Sequence, residues 1–181
     1  MVITLICEPR TGSNTLMKWF ESQKNFEVLN LPFEKCIDYK NYSFKKENLV
    51  IKEEFHNLNP NFTELINFSD FVIFLYRENI KEQVESWVTA KKTKRWTEHW
   101  VFDKNKCEVS EKEMIEFEKL KNEFKQYFLN NVENFKISYE SLYYDNGLDK
   151  IINHLKIFDL NKNDFPKTKK YRIDGSKRNL I

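Results

Sequence analysis

The chain has 181 residues, a formal net charge of +2 and 40% hydrophobic residues, enough for one domain with a sizeable core and too few for two comfortable ones. The pI of about 8.3 excludes the broad basic field that nucleic-acid binding demands. Mean hydropathy is -0.69, and no apolar run approaches the roughly 20 residues of a membrane span.

The opening run "MVITLIC" is too short for a signal-peptide core and carries no cationic leader, so it is expected to be the first buried strand, Val2–Cys7. A small-residue loop, "EPRTGSNT", leads into a helix expected over Asn14–Ser22. Further strands are predicted at Glu27–Leu29, Leu49–Glu53, Phe71–Tyr76 and Phe135–Ser138, where short β-branched and aromatic runs occur. Helical periods fall between them at Asn61–Asn67, Ile80–Lys94, Ser110–Asn131 and Tyr139–Lys156. "SEKEM" has the form of a capping box, with Ser110 as the cap and Glu113 three residues on. Strands alternating with helices predict an α/β fold, a central parallel sheet flanked by helices. With no repeat and no Pro/Ser-rich linker, residues 1–181 are expected to form a single domain. The basic tail 167–181 has no clear period and is read as a closing arm or a disordered segment.

Cys7, Cys36 and Cys107 are odd in number and form no CxxC pair, so neither a disulfide framework nor a zinc knuckle is expected. Reduced thiols in a cytoplasmic protein are the expectation.

Ligands of parallel α/β sheets sit at the carboxyl ends of the strands. Three sequence features fall there: "PRTGSNT" after the first strand, "KEEFH" after the third and "YRENI" after the fourth. In the first of these, Gly12 permits the positive φ that turns successive amides inward. Ser13 and Thr15 add hydroxyls, Arg10 adds a planar charged fork, and the helix after them presents its positive end. The same residues also suit a plain turn and cap. A nucleoside triphosphatase loop requires a second Gly followed by Lys and Ser or Thr, which this loop lacks, so an ordinary ATP site is not expected.

Together these residues resemble the sulfotransferases that use 3′-phosphoadenosine 5′-phosphosulfate (PAPS). "PRTGS" matches that family's first loop from Pro9 to Ser13. "FVIFLYRENIKEQVESW" resembles its second signature, a strand ending in Arg and a helix bearing Ser, here Arg77 and Ser86, nine apart. That spacing, together with "AKKTKRW", is similar to the bacterial trehalose and nodulation-factor branch, although Lys92 stands where the branch has Gln. "FKISYESL" resembles the Tyr-Glu-x-Leu segment found across the superfamily, so the likeness runs from residue 2 to about 142.

The resemblance implies a P-loop-like sulfotransferase fold and transfer of a sulfuryl group from PAPS to a hydroxyl, such as that of a carbohydrate or glycolipid, leaving 3′-phosphoadenosine 5′-phosphate (PAP). It implies that Arg10, Thr11, Gly12, Ser13, Asn14 and Thr15 cup the phosphosulfate and that Arg77 and Ser86 share the 3′-phosphate. It also implies that Lys177 and Arg178 of the tail close on that phosphate, and that no metal is needed. Without the resemblance, Arg77 reads as one half of a surface ion pair with Glu78 or Glu82. A base must take the hydroxyl proton. Glu34, in a Pro-x-Glu context, resembles the branch's catalytic glutamate. Glu54 matches the position of the base in the cytosolic animal enzymes, and strand alternation puts Lys52, Glu54 and His56 on one face. Arg10, supported by Lys52, is the candidate for stabilising the leaving phosphate. Trp87 is expected in the core, while Trp96 and Trp100 are candidates for an acceptor or adenine pocket. A module that binds PAPS or PAP without catalysis and an atypical ATP-dependent phosphotransferase are the rival readings. Neither nucleic acid nor a membrane span is expected.

Overall fold

The computed structural model describes residues 1–32, 35, 37–55, 62–94, 107–126, 135–157 and 160–165. Its strands are β1 (Val2–Cys7), β2 (Phe26–Asn30), β3 (Asn48–Glu54), β4 (Phe71–Tyr76) and β5 (Phe135–Ser138). They form a five-stranded sheet in the order β2-β3-β1-β4-β5, and each neighbouring pair is parallel. The runs VITLIC and FVIFLY are apolar almost throughout because central parallel strands are covered on both faces. β2 and β3 each extend one residue beyond the apolar pattern at both ends. There the end residues still pair across the sheet, the buried Phe26 with Asn48 and Asn30 with Lys52, so the ladder sets the limit.

The helices are α1 (Ser13–Ser22), α2 (Phe62–Phe68), α3 (Ile80–Thr93), α4 (Glu111–Phe124), α5 (Tyr139–Tyr144) and α6 (Gly147–Leu155). Side-chain alternation sorts them into two layers. Ile3, Leu5 and Cys7 of β1 meet Leu16, Met17 and Phe20 of α1 and Ile151, Ile152 and Leu155 of α6. On the opposite face Ile6, Ile51 and Phe74 pack against Leu65 of α2 and Phe124 of α4. A satellite cluster of Val84, Val88 and Phe117 joins α3 to α4. Trp87 packs there, its ring centroid 5.3 Å from that of Phe117. Among the described residues, no helix is long and apolar enough to cross a membrane.

Two predicted helices need correction. The single helix expected over Tyr139–Lys156 is two, because Asp145 is extended at φ -112° and ψ -163°. The chain doubles back so closely that α6 starts against the backbone of α5. The helix expected to reach Asn131 is α-helical to Phe124 and then widens into a π turn at residues 125–126, with 127–131 outside the described residues.

The capping box before α4 forms in both directions, the Glu113 amide donating to Ser110 Oγ and the Ser110 amide to Glu113 Oε2. The bonds from the Ser110 amide and hydroxyl hold the Glu113 carboxyl down at about 2, with a smaller contribution from Lys92. A depressed folded-state value stabilises fully above the ordinary value of 4.5 and loses that contribution as pH falls toward 2. Ser110→Ala removes the cap hydroxyl and should lower the melting temperature at neutral pH. Thermal melts should show the gap to the parent protein narrowing below pH 4; a gap independent of pH would mean that the box does not hold in solution.

Candidate functional site

The site is built where β1 and β4 end side by side. β1 leaves the sheet at Cys7, and the loop that follows contains two left-handed residues, Arg10 at φ 63° and Gly12 at φ 73°. A left-handed arginine is strained, and alternation of this kind turns backbone amides into a concave nest. Thr11 is fully buried, and its hydroxyl donates to the Glu8 carbonyl at 2.9 Å, closing the turn from inside. Its contribution to an anion is thus confined to its backbone. Gly12 caps α1 without a side chain, and the first turn of α1 has no acidic residue. The amides of Thr15 and Leu16 bond the Gly12 carbonyl, and no side chain caps the start of this ten-residue helix, whose positive end faces the loop.

Gly12 is required here for two reasons. Its φ is positive, and a Cβ would lie 2.8 Å from Tyr143 Cε2 and 3.0 Å from Tyr139 Cε2. The Tyr143 hydroxyl donates to the Gly12 carbonyl at 2.6 Å, so α5 holds the loop from above.

The Arg10 Nε donates to Ser86 Oγ of α3 at 2.9 Å, across 76 positions of sequence. Arg77, directly after β4, donates from Nη1 to the Arg10 carbonyl at 3.4 Å. Its Nη2 pairs with Glu82 Oε2 at 2.6 Å, and its guanidinium lies over the Tyr139 ring, 4.5 Å from the centroid. The Arg77 Nε is 3.7 Å from Glu140 Oε1, too far to hydrogen-bond, and this buried nitrogen has no acceptor among the described residues. The Glu140 carboxylate instead accepts the amides of Glu78 and Asn79 ahead of α3. The ion pair with Glu82 read from sequence exists, and it coexists with the approach of Arg77 to the loop.

Cations and carboxylates are interleaved at the site, Arg77 beside Glu82 and Glu140 and Lys52 beside Glu54. Burial lowers the Arg10 guanidinium below its ordinary value, Glu54 raises it, and the nearby Arg77 lowers it further. Two guanidinium groups that repel each other favour a bound anion between them. On the α1 side, Lys52 is 1% exposed and donates to Asn14 Oδ1 at 2.6 Å and to Glu54 Oε1 at 3.0 Å. Strand alternation thus puts Lys52 and Glu54 on the α1 face beside the loop. Cys7 lies under the site, where burial pushes its thiol up to about 12, which makes it an inert core residue.

The structure brings together Arg10, Thr11, Gly12, Ser13, Asn14, Thr15, Lys52, Glu54, Arg77 and Ser86 at the carboxyl edge of the sheet. Glu34, His56, Trp96, Trp100, Lys177 and Arg178 lie outside the described residues. His154 is away from the site, stacked on Phe135 with ring centroids 4.4 Å apart. Among the described residues, no group of three or more His, Cys, Asp or Glu side chains is placed to hold a metal ion.

Sequence reasoning passed over Glu8, Gln83, Lys121 and Tyr143. A signal for Lys121 was present: it interrupts the buried stripe Phe117–Lys121–Phe124 of α4, where a lone cation calls for a buried acid. Compared with known proteins, the chain matches no family model and no curated protein.

Proposed function

We propose that this chain is a sulfotransferase of the P-loop-like fold, which transfers the sulfuryl group of PAPS to a hydroxyl acceptor of the carbohydrate or glycolipid class. The observation that carries this reading is the meeting of Arg10 with Ser86 at 2.9 Å and with Arg77 at 3.4 Å. Three residues assigned by resemblance to the two ends of one nucleotide adjoin one another, though 76 and 67 positions separate them. A plain turn and cap would need neither contact.

The residues fit such a donor. The left-handed loop and the uncapped start of α1 suit the phosphosulfate, held by Arg10, Gly12, Ser13, Asn14 and Thr15 with the backbone of Thr11. Arg77, with a buried Nε still able to donate, and Ser86 suit the 3′-phosphate. When bound, PAPS supplies an electrophilic sulfuryl group joined to a phosphate that can leave. Arg10 stabilises the charge gathering on that phosphate, and the buried Lys52 adds to the field. A carboxylate takes the proton of the attacking hydroxyl. Glu34 and Glu54 are the two candidates, and Glu54 stands beside Lys52 at the end of β3.

Calorimetric titration tests the reading. PAP should bind at least tenfold more tightly than ADP or ATP; the reverse order would favour an ATP-dependent phosphotransferase. Radiolabelled transfer from PAPS to a panel of glycans then separates an enzyme from a binding module. Glu34→Gln should abolish turnover and leave PAP affinity nearly intact. Full activity in that variant, with loss in Glu54→Gln, would move the base to Glu54.

A further inference from the structure

A buried polar cluster lies behind the two strand ends and has no part in the chemistry just described. Glu8 follows β1, Gln83 belongs to α3 and Lys121 to α4. Their burial is deep: the side chain of Glu8 is 2% exposed, that of Lys121 15%, and Gln83 is fully buried. Lys121 Nζ donates to Glu8 Oε2 at 2.8 Å, to Gln83 Oε1 at 3.1 Å and to the Arg77 carbonyl at 2.5 Å. Glu8 Oε2 also accepts the Arg77 amide at 3.1 Å. Gln83 Nε2 donates to Glu8 Oε2 at 3.1 Å and to the Pro9 carbonyl at 2.9 Å.

One cluster therefore grips both backbone groups of Arg77 and the carbonyl next to Arg10. A buried ion pair is an expensive way to stabilise a fold, since apolar residues of similar volume often do as well or better. What apolar residues cannot do is fix the direction of three backbone groups at once.

We propose that Glu8, Gln83 and Lys121 are positioning residues that set the spacing between Arg77 and the Arg10 loop, and through it the fit for a nucleotide phosphorylated at both its 3′ and 5′ positions. The inference rests on the donor reading above. Bond for bond, Lys121 and Glu8 hold the amide and carbonyl from which the Arg77 side chain departs. Gln83 holds Pro9, whose carbonyl lies one peptide before the strained Arg10. Without this clamp only the long bond from Arg77 Nη1 to the Arg10 carbonyl, at 3.4 Å, and that from Arg10 Nε to Ser86 would set the spacing, and the two phosphates would be met less well together.

The test compares the parent protein with Glu8→Gln/Lys121→Met, which removes both buried charges at once. Thermal melting reports folding, and calorimetry reports affinity for PAP and for ADP. The double variant should melt within a few degrees of the parent, yet bind PAP at least tenfold more weakly, with ADP affinity changed less than threefold. Parental PAP affinity in the folded double variant would overturn the proposal, since the cluster would then be purely structural. Should the double variant fail to fold, Gln83→Met cuts the Pro9 bond alone among the backbone contacts and carries the same expectation of selective PAP loss. Equal loss of PAP and ADP affinity there would also overturn it. A parent protein that does not prefer PAP to ADP overturns the donor reading itself, and the positioning role with it.

Discussion

Arg77→Met should weaken PAP binding about 100-fold while changing ADP affinity less than threefold. The variant keeps an unbranched apolar stem against Tyr139, over whose ring the guanidinium now lies, so no large cavity opens. It removes a planar donor whose charge-assisted bonds to phosphate are worth roughly 1.5–3 kcal/mol each, and about 1.4 kcal/mol is tenfold in affinity. It also takes the cation from between two carboxylates. Glu82 now pairs with Arg77 at 2.6 Å, and Glu140 lies 3.7 Å from its Nε. Without the cation both would repel a 3′-phosphate, which pushes the loss toward the upper end of that range. Arg77→Lys should recover only part of it, because an ammonium cannot present the fork. Calorimetry with PAP and ADP on each variant decides the matter. A loss shared equally by the two nucleotides would place the effect in the fold and not in recognition of the 3′-phosphate.

Gly147→Ala should be the most damaging small substitution outside the loop, lowering stability by about 2–3 kcal/mol. For a chain of this size that is a fall of about 5–10 °C in melting temperature. A Cβ at this position would lie 2.5 Å from Leu142 Cα and from the Ser141 carbonyl oxygen. Both are backbone atoms and cannot swing aside, so α5 and α6 must separate. The displacement would reach the site, because Leu142 is a core residue and Tyr143 donates to the Gly12 carbonyl. PAP affinity should fall together with melting temperature. A melt unchanged from the parent would show that the close contact between α5 and α6 is absent in solution.

The contrast between these residues tells what was legible in the sequence. Arg77 stood out through the resemblance, as the arginine that closes an apolar run ahead of a helix bearing Ser86, while the local pattern alone read as a surface ion pair. Gly147 did not stand out. A helical period runs through Tyr139–Lys156, and glycine in such a pattern is tolerated at a modest cost, so nothing local signals the break. The break is decided by the packing of Leu142 and Ile151 against the same sheet, which a single straight helix could not satisfy. Lys121 was legible as an anomaly on an apolar stripe, but not its partner, since Glu8 lies 113 positions earlier.

What the sequence determined by itself is local. Apolar runs set the five strands to within a residue at each end, Ser110 with Glu113 set the start of α4, and Gly12 set the turn into α1. Such features follow from backbone preference and hydrophobic period over a few residues, and they survive without knowledge of what lies across the fold. Only the tertiary structure decided which ends meet. The order β2-β3-β1-β4-β5 sets β1 directly beside β4 and so brings Arg77 to the Arg10 loop, and the packing of α3 and α4 brings Ser86 to Arg10 and Lys121 to Glu8. Strand order is a global minimum of burial over the whole sheet, and for that reason no short stretch of the chain announces it.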